Sequence, residues 1–145
     1  MARFKFRLQS VLTVKEKIED LKKNEFGKAM MALAEAQRIK AEMEAARDKA
    51  IDDFRREIHE GIDPIAFGRY NQFIDNVKLA IIRQEFVVEQ CEAFVEQKRQ
   101  ELVEAMRDRK TLETLKDNDF EEFLIEEKKQ EQKVVDEIVS YKGSK

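Results

Sequence analysis

The side chains that perform covalent or metal chemistry are scarce in this sequence. His59 is the single histidine and Cys91 the single cysteine, so a catalytic triad or a His-based metal cluster has nothing to build on. His59 reads as a solvated residue at a turn, and Cys91 as a small apolar side chain in a packed seam. Carboxylates are plentiful, yet paired-acid or di-metal sites need a cavity that the helices inferred below do not enclose. Gly27-Lys28 is followed by Ala29, where a phosphate-binding loop requires Ser or Thr. Lys22 also stands in place of that loop's first glycine, which rules the loop out. Met30-Met31 read as packing. No catalytic residue, cofactor or metal is expected, and the remaining chemistry is contact.

The elements that would present contact surfaces are legible from spacing. Ile74, Val77, Ile81, Gln84, Val88, Cys91, Val95, Lys98, Leu102, Ala105, Arg109 and Leu112 follow steps of three and four without a slip. That average of 3.5 keeps one stripe of a helix facing a partner as both wind left-handedly. Charged residues make up 41% of the 145, apolar residues 42%, with 4 Gly and 1 Pro. Such a mixture specifies long helices rather than sheets, and the scarcity of breakers predicts a rod.

The net charge of −3, with the signs interspersed, provides no concentrated basic face for nucleic acid. A local basic patch remains at Arg3, Lys5 and Arg7. No apolar run approaches the roughly 18 residues of a membrane span, and the N-terminal segment lacks the apolar stretch of a secretory signal. A lone cysteine fits a reducing, cytosolic setting.

One interruption organises the chain: His59-Glu60-Gly61-Ile62-Asp63-Pro64. Gly61 suits a left-handed helix end, Asp63 an N-cap, and Pro64 a first helical position. The expected fold is an all-α, single antiparallel two-helix coiled coil. Helix 1 would span about 8–60, the turn 60–64 and helix 2 about 64–141. Pairing about Ile62 makes partner numbers total roughly 124 over some 80 Å at ~1.5 Å per residue.

Helix 1 is expected to present Leu8, Val11, Val14, Ile18 and Leu21, then Ala36, Ile39, Met43, Ala46, Ala50, Phe54 and Ile58. Gly27, between the two sets, reads either as a bend or as a tolerated surface glycine. Arg3–Leu8 reads as a frayed first helical turn, or else as a nucleic-acid or membrane arm. After about residue 120 helix 2 lacks an intrachain partner. Phe120, Phe123, Leu124, Val134, Ile138 and Tyr141 there suit either an external partner or a frayed tail.

A two-stranded coil buries two positions per heptad, yet Phe73, Ala80, Val87 and Phe94 add a third apolar ridge near the turn. With Val77 and Gln84 this gives a stripe, Phe73, Val77, Ala80 and Gln84, reachable from one side. It serves either as extra packing under Phe54 and Ile58 or as a docking surface.

Two segments carry a family resemblance. Phe4-Lys5-Phe6-Arg7-Leu8-Gln9-Ser10-Val11-Leu12, followed by Lys15-Glu16-Lys17, resembles the opening of FliJ proteins of the flagellar type III export apparatus. Tyr70-Asn71-Gln72-Phe73-Ile74 resembles that family's Tyr-x-Gln-Phe-Ile segment. The resemblance covers essentially the whole chain. It implies a non-enzymatic, cytoplasmic component at the inner-membrane face of the flagellar basal body, with a fold similar to the central stalk of rotary ATPases. Implied partners are the export ATPase and its regulator, the cytoplasmic domain of the export gate's membrane protein, and export chaperones. No nucleic acid is implied, and the membrane is met only through partners.

The family's gate-contact stripe carries onto Phe73, Val77, Ala80 and Gln84, faced by Met43, Ala46 and Ala50. Val77 and Gln84 replace a Leu and a His of some members, and the facing positions lack the tyrosines of some relatives. The expected role is a coupling rod that stimulates ATPase assembly and hydrolysis and escorts chaperones. Phe4, Leu8, Val11, Phe120 and Phe123 would engage the ATPase ring. The alternatives are a general holdase chaperone and a structural scaffold arm.

Overall fold

The computed structural model describes residues 2–143. Helix α1 covers Gln9–Glu60 and helix α2 covers Pro64–Gly143; among the described residues there is no strand. The fold is the all-α helical hairpin that the periodicity predicts.

The corner is built as its residue types dictate. Gly61 takes φ = 97°, a left-handed value that L side chains rarely adopt. Its N–H donates to the Ile58 carbonyl at 3.3 Å, which ends α1. The Asp63 carboxylate accepts the Ile65 N–H at 3.0 Å, satisfying one of the orphan donors at the start of α2. Pro64 follows at the first position, where a missing N–H costs nothing.

The chain divides into two compact units, residues 23–101 and residues up to 22 with those from 102 onward. Within 23–101 the two helices run antiparallel. The Gln84 side-chain amide donates to the Ala36 carbonyl at 2.8 Å, Lys40 meets Glu85 at 3.8 Å, and Lys98 meets Glu25 at 3.3 Å. These partner numbers lie within a few of 124. Ile74, Ile81 and Val88 of α2 are buried, as are Ala29, Ala36 and Ala50 of α1. Alanines on one helix and branched side chains on the other let the backbones approach closely while apolar surface leaves water.

In the other unit Phe6, Leu12 and Ala105 are buried. Glu19 is ion-paired with Arg109, which also meets Glu113 at 2.7 Å. Lys15 meets Asp108 at 3.7 Å, and Lys116 donates to Gln9 at 2.8 Å.

Two expectations are corrected here. Val11, Val14, Ile18 and Leu21 do not form the packed face of α1; all four are exposed. The packed face is Leu8, Leu12, Lys15, Glu19, Lys22 and Phe26, every one buried or half-buried. Its steps of three and four run in phase with Ala29, Leu33 and Ala36. Glu19 answers Arg109, a seam cation that needs a carboxylate once it is removed from water. Farther along α1, Ala46 and Ile58 are exposed, while Ala36, Met43, Ala50 and Phe54 lie on the seam.

The second correction concerns Arg3–Leu8, which is not a helical turn. Residues 2–6 are non-helical. Phe4, Phe6 and Leu8 are buried or half-buried while Arg3, Lys5 and Arg7 are exposed, and residues 7–8 turn into α1, the Gln9 N–H donating to the Phe6 carbonyl at 3.1 Å. Gly27 lies within α1 and has no positive φ.

Candidate functional site

Around the turn, Phe54 packs edge-on against Phe67, with ring centroids 5.1 Å apart. It also stacks on Tyr70 at 5.3 Å with the planes 4° apart. The Tyr70 hydroxyl donates to the Glu57 carboxylate at 2.9 Å. That hydrogen bond, then burial and the Glu57 and Asp53 charges, push the Tyr70 phenol above its ordinary value. An aromatic layer held by a charge-assisted bond thus fixes the first turns of α2 against the last turns of α1.

The stripe Phe73, Val77, Ala80 and Gln84 starts immediately beyond that layer. Phe73 stands 51% exposed, whereas Val77, Ala80 and Gln84 are half-buried. Gln84 is also spoken for by its bond to Ala36. Phe54 therefore covers Phe67 and Tyr70, and the extra ridge stays open: Val87 and Phe94 are exposed as well. Of the facing residues, Met43 is half-buried, Ala50 buried and Ala46 exposed.

Ala46, Ala50, Ala66 and Phe73 line an open groove of about 560 Å³ between the helices, bounded by Tyr70 and Asp53 and flanked by Lys49 and Arg69. Phe73, Ala46 and Ala50 are thus brought together, while Val77, Ala80, Gln84 and Met43 are not part of the groove. Sequence reasoning missed Ala66, Lys49 and Arg69. Each sits at a heptad flank, where residue type alone does not mark a wall. It also missed Leu79, Ile82 and Phe86, an exposed apolar row on α2 at steps of three and four.

The second candidate set is aromatic. Phe4 contacts Phe120 edge-on at 5.2 Å and Phe123 at 5.5 Å. Leu8 is half-buried, and Val11 and Phe120 are exposed. All but Val11 and Leu8 are thereby joined in one cluster, flanked by Arg3, Lys5 and Arg7 and by Asp119, Glu122 and Glu126. From Leu124 onward nearly all of α2 is exposed, including Ile125, Val134, Val135, Ile138 and Tyr141.

His59 is exposed in the last turn of α1, and Cys91 is half-buried on the seam. Among the described residues no group of three His, Cys, Asp or Glu is placed to hold a metal ion. Nor is any helix there long and apolar enough to cross a membrane.

The family model described as flagellar FliJ protein matches residues 4–145. Among solved structures the chain is similar to one titled as a YscO homologue, CT670, from Chlamydia trachomatis. That likeness has a TM-score of 0.66 at 21% identity, covering 94% of this chain and 93% of that one. It shows a shared fold. No match is found among curated protein sequences.

Proposed function

The chain belongs to the flagellar FliJ protein family, and from that premise we propose that it couples the export ATPase to the export gate in the manner of a stalk. It is a component of the flagellar type III export apparatus. In this reading it hydrolyses no nucleotide itself. It promotes assembly and turnover of the ATPase ring, works beside the ATPase regulator, and escorts export chaperones. It sits in the cytoplasm at the inner-membrane face of the basal body, and meets the membrane only through partners.

The observation that carries the reading is the family match over residues 4–145. Two local features support the assignment of surfaces. The Phe4, Phe120 and Phe123 cluster with Leu8 and Val11 offers the ring an aromatic patch with charges of both signs around it. The stripe headed by Phe73 offers the gate's cytoplasmic domain apolar area that the intrachain seam leaves uncovered. Exposed ion pairs contribute little each, so contacts built on such surfaces form and release readily.

The test joins two measurements. ATP hydrolysis by the cognate export ATPase should rise when this protein is added, and no change removes the coupling role. Phe73→Ala with Val77→Ala should weaken binding to the gate's cytoplasmic domain and reduce swimming. Unchanged binding and motility would sink the stripe assignment.

A further inference from the structure

The groove beside Phe73 has a charge pattern that narrows what it can hold. Its floor is Ala46, Ala50 and Ala66, and Phe73 and Tyr70 form a wall. Small residues on both helices leave an open apolar groove of about 560 Å³, roomy enough for a bulky side chain and its neighbours. The rims are basic. Lys49 stands on the α1 side and Arg69 on the α2 side. The one carboxylate lining the slot, Asp53, is engaged by Arg56 at 3.3 Å. Glu57 is engaged by Tyr70. Lys49 and Arg69 form no ion pair among the described residues. A chain of net charge −3 thus sets two unneutralised cations, Lys49 and Arg69, beside this open apolar groove.

We propose that this groove binds an acidic peptide segment of a partner protein, one bulky apolar side chain entering between Ala46, Ala50 and Phe73 while flanking carboxylates meet Lys49 and Arg69. The inference rests on the reading of the Phe73 stripe as a partner contact, and adds the chemistry of what is contacted. Apolar burial supplies the anchor, and the two rims supply orientation and discrimination against basic segments. A groove recessed between two helices suits a peptide better than the flat face of an anionic bilayer.

The probe is a short peptide with a central Leu-Phe flanked by Glu-Asp on each side. It is titrated to millimolar concentration against the full-length protein carrying 13C-labelled alanine methyls. The Ala46, Ala50 and Ala66 resonances should shift. Lys49→Glu with Arg69→Glu, checked for unchanged helicity, should weaken the peptide roughly tenfold, since two exposed charge contacts change sign. A Lys-flanked version of the peptide should then bind the variant better than the wild type. Three results would overturn the proposal: no shift at these methyls, equal affinity for both peptides, or charge-dependent binding to phosphatidylglycerol vesicles without peptide binding. The gate's cytoplasmic domain, titrated in parallel, separates the two claims. Peptide binding without gate binding leaves the groove and removes the gate as its partner. Gate binding that Phe73→Ala abolishes and the charge reversal leaves intact keeps the stripe and removes the groove.

Discussion

Leu12 and Leu21 lie on the same helix within three turns of one another, and the structure assigns them opposite fates. Leu12 is 2% exposed and Leu21 is 58% exposed. Leu12→Ala should therefore forfeit nearly the whole transfer term of a buried leucine, about 1.5–3 kcal/mol, plus a cavity term. Only two helices surround the site, so its walls can close, and the expected loss is about 2–3 kcal/mol. Leu21→Ala removes methyl groups that already face water, and should change stability by no more than about 0.5 kcal/mol. In a thermal melt followed by helical circular dichroism, Leu12→Ala should lower the midpoint by about 4–10 °C, and Leu21→Ala by a degree or two. Simple apolar periodicity makes the opposite forecast, because Val11, Val14, Ile18 and Leu21 form the cleaner hydrophobic row. If Leu21→Ala costs as much as Leu12→Ala, the packed face assigned here to the start of α1 is wrong.

Gly27→Ala should stabilise by about 1 kcal/mol, since a Cβ there meets nothing within 4 Å and the backbone is already helical; a lower melting temperature would refute this. Gly61→Ala should destabilise despite equally open space, because only its φ of 97° resists a side chain. Reversing either charge of the Glu19–Arg109 pair should lower the melting temperature. The double reversal should recover part of the loss, and additive losses in the double variant would show that the pair is not coupled. Glu57→Gln should lower the Tyr70 titration seen by ultraviolet absorbance. A phenol raised in the folded state contributes stability that is complete below its unfolded value and is lost as pH climbs through the folded one, so the alkaline decline due to Tyr70 should be smaller in this variant.

The corner and the α2 seam were legible because their residue types have few other uses. Gly, then Asp, then Pro within four positions leaves a helix little choice but to stop and restart. Ile74 through Leu112 holds its phase, and every member is buried or half-buried. The start of α1 was misread because its packed face carries Lys15, Glu19 and Lys22. A rule that scores apolarity passes over them in favour of exposed valines and leucines. The deciding information lies on the other helix, in Arg109 and Asp108. Residues 3–8 were misread for a related reason: basic and apolar residues alternate there with period two, and that alternation was the true signal. Of the contact surfaces, Phe73 was legible from the surplus ridge. The groove was not, because Lys49 and Arg69 acquire meaning only when α1 and α2 are laid side by side.

The polar members of the seam explain why so much apolar surface lies outside it. Glu19 is 4% exposed against Arg109, and Gln84 spends its amide on a backbone carbonyl of the facing helix. Lys98 is held between Glu101 and Glu25, bonds that raise its pKa in that order of weight. Such layers add little net stability compared with leucine in the same place, but each is satisfied in one register alone. A slip by a heptad would leave a desolvated charge or amide without its partner. Apolar layers are more permissive about register and about which chain supplies the second helix. Placing Val11, Val14, Ile18 and Leu21 on the outside while charges occupy the interior gives up cohesive energy and gains a specified pairing. The exposed rows, Leu79 with Ile82 and Phe86 among them, then remain available to other proteins. A hairpin that pairs through such polar interlocks leaves these apolar faces uncovered.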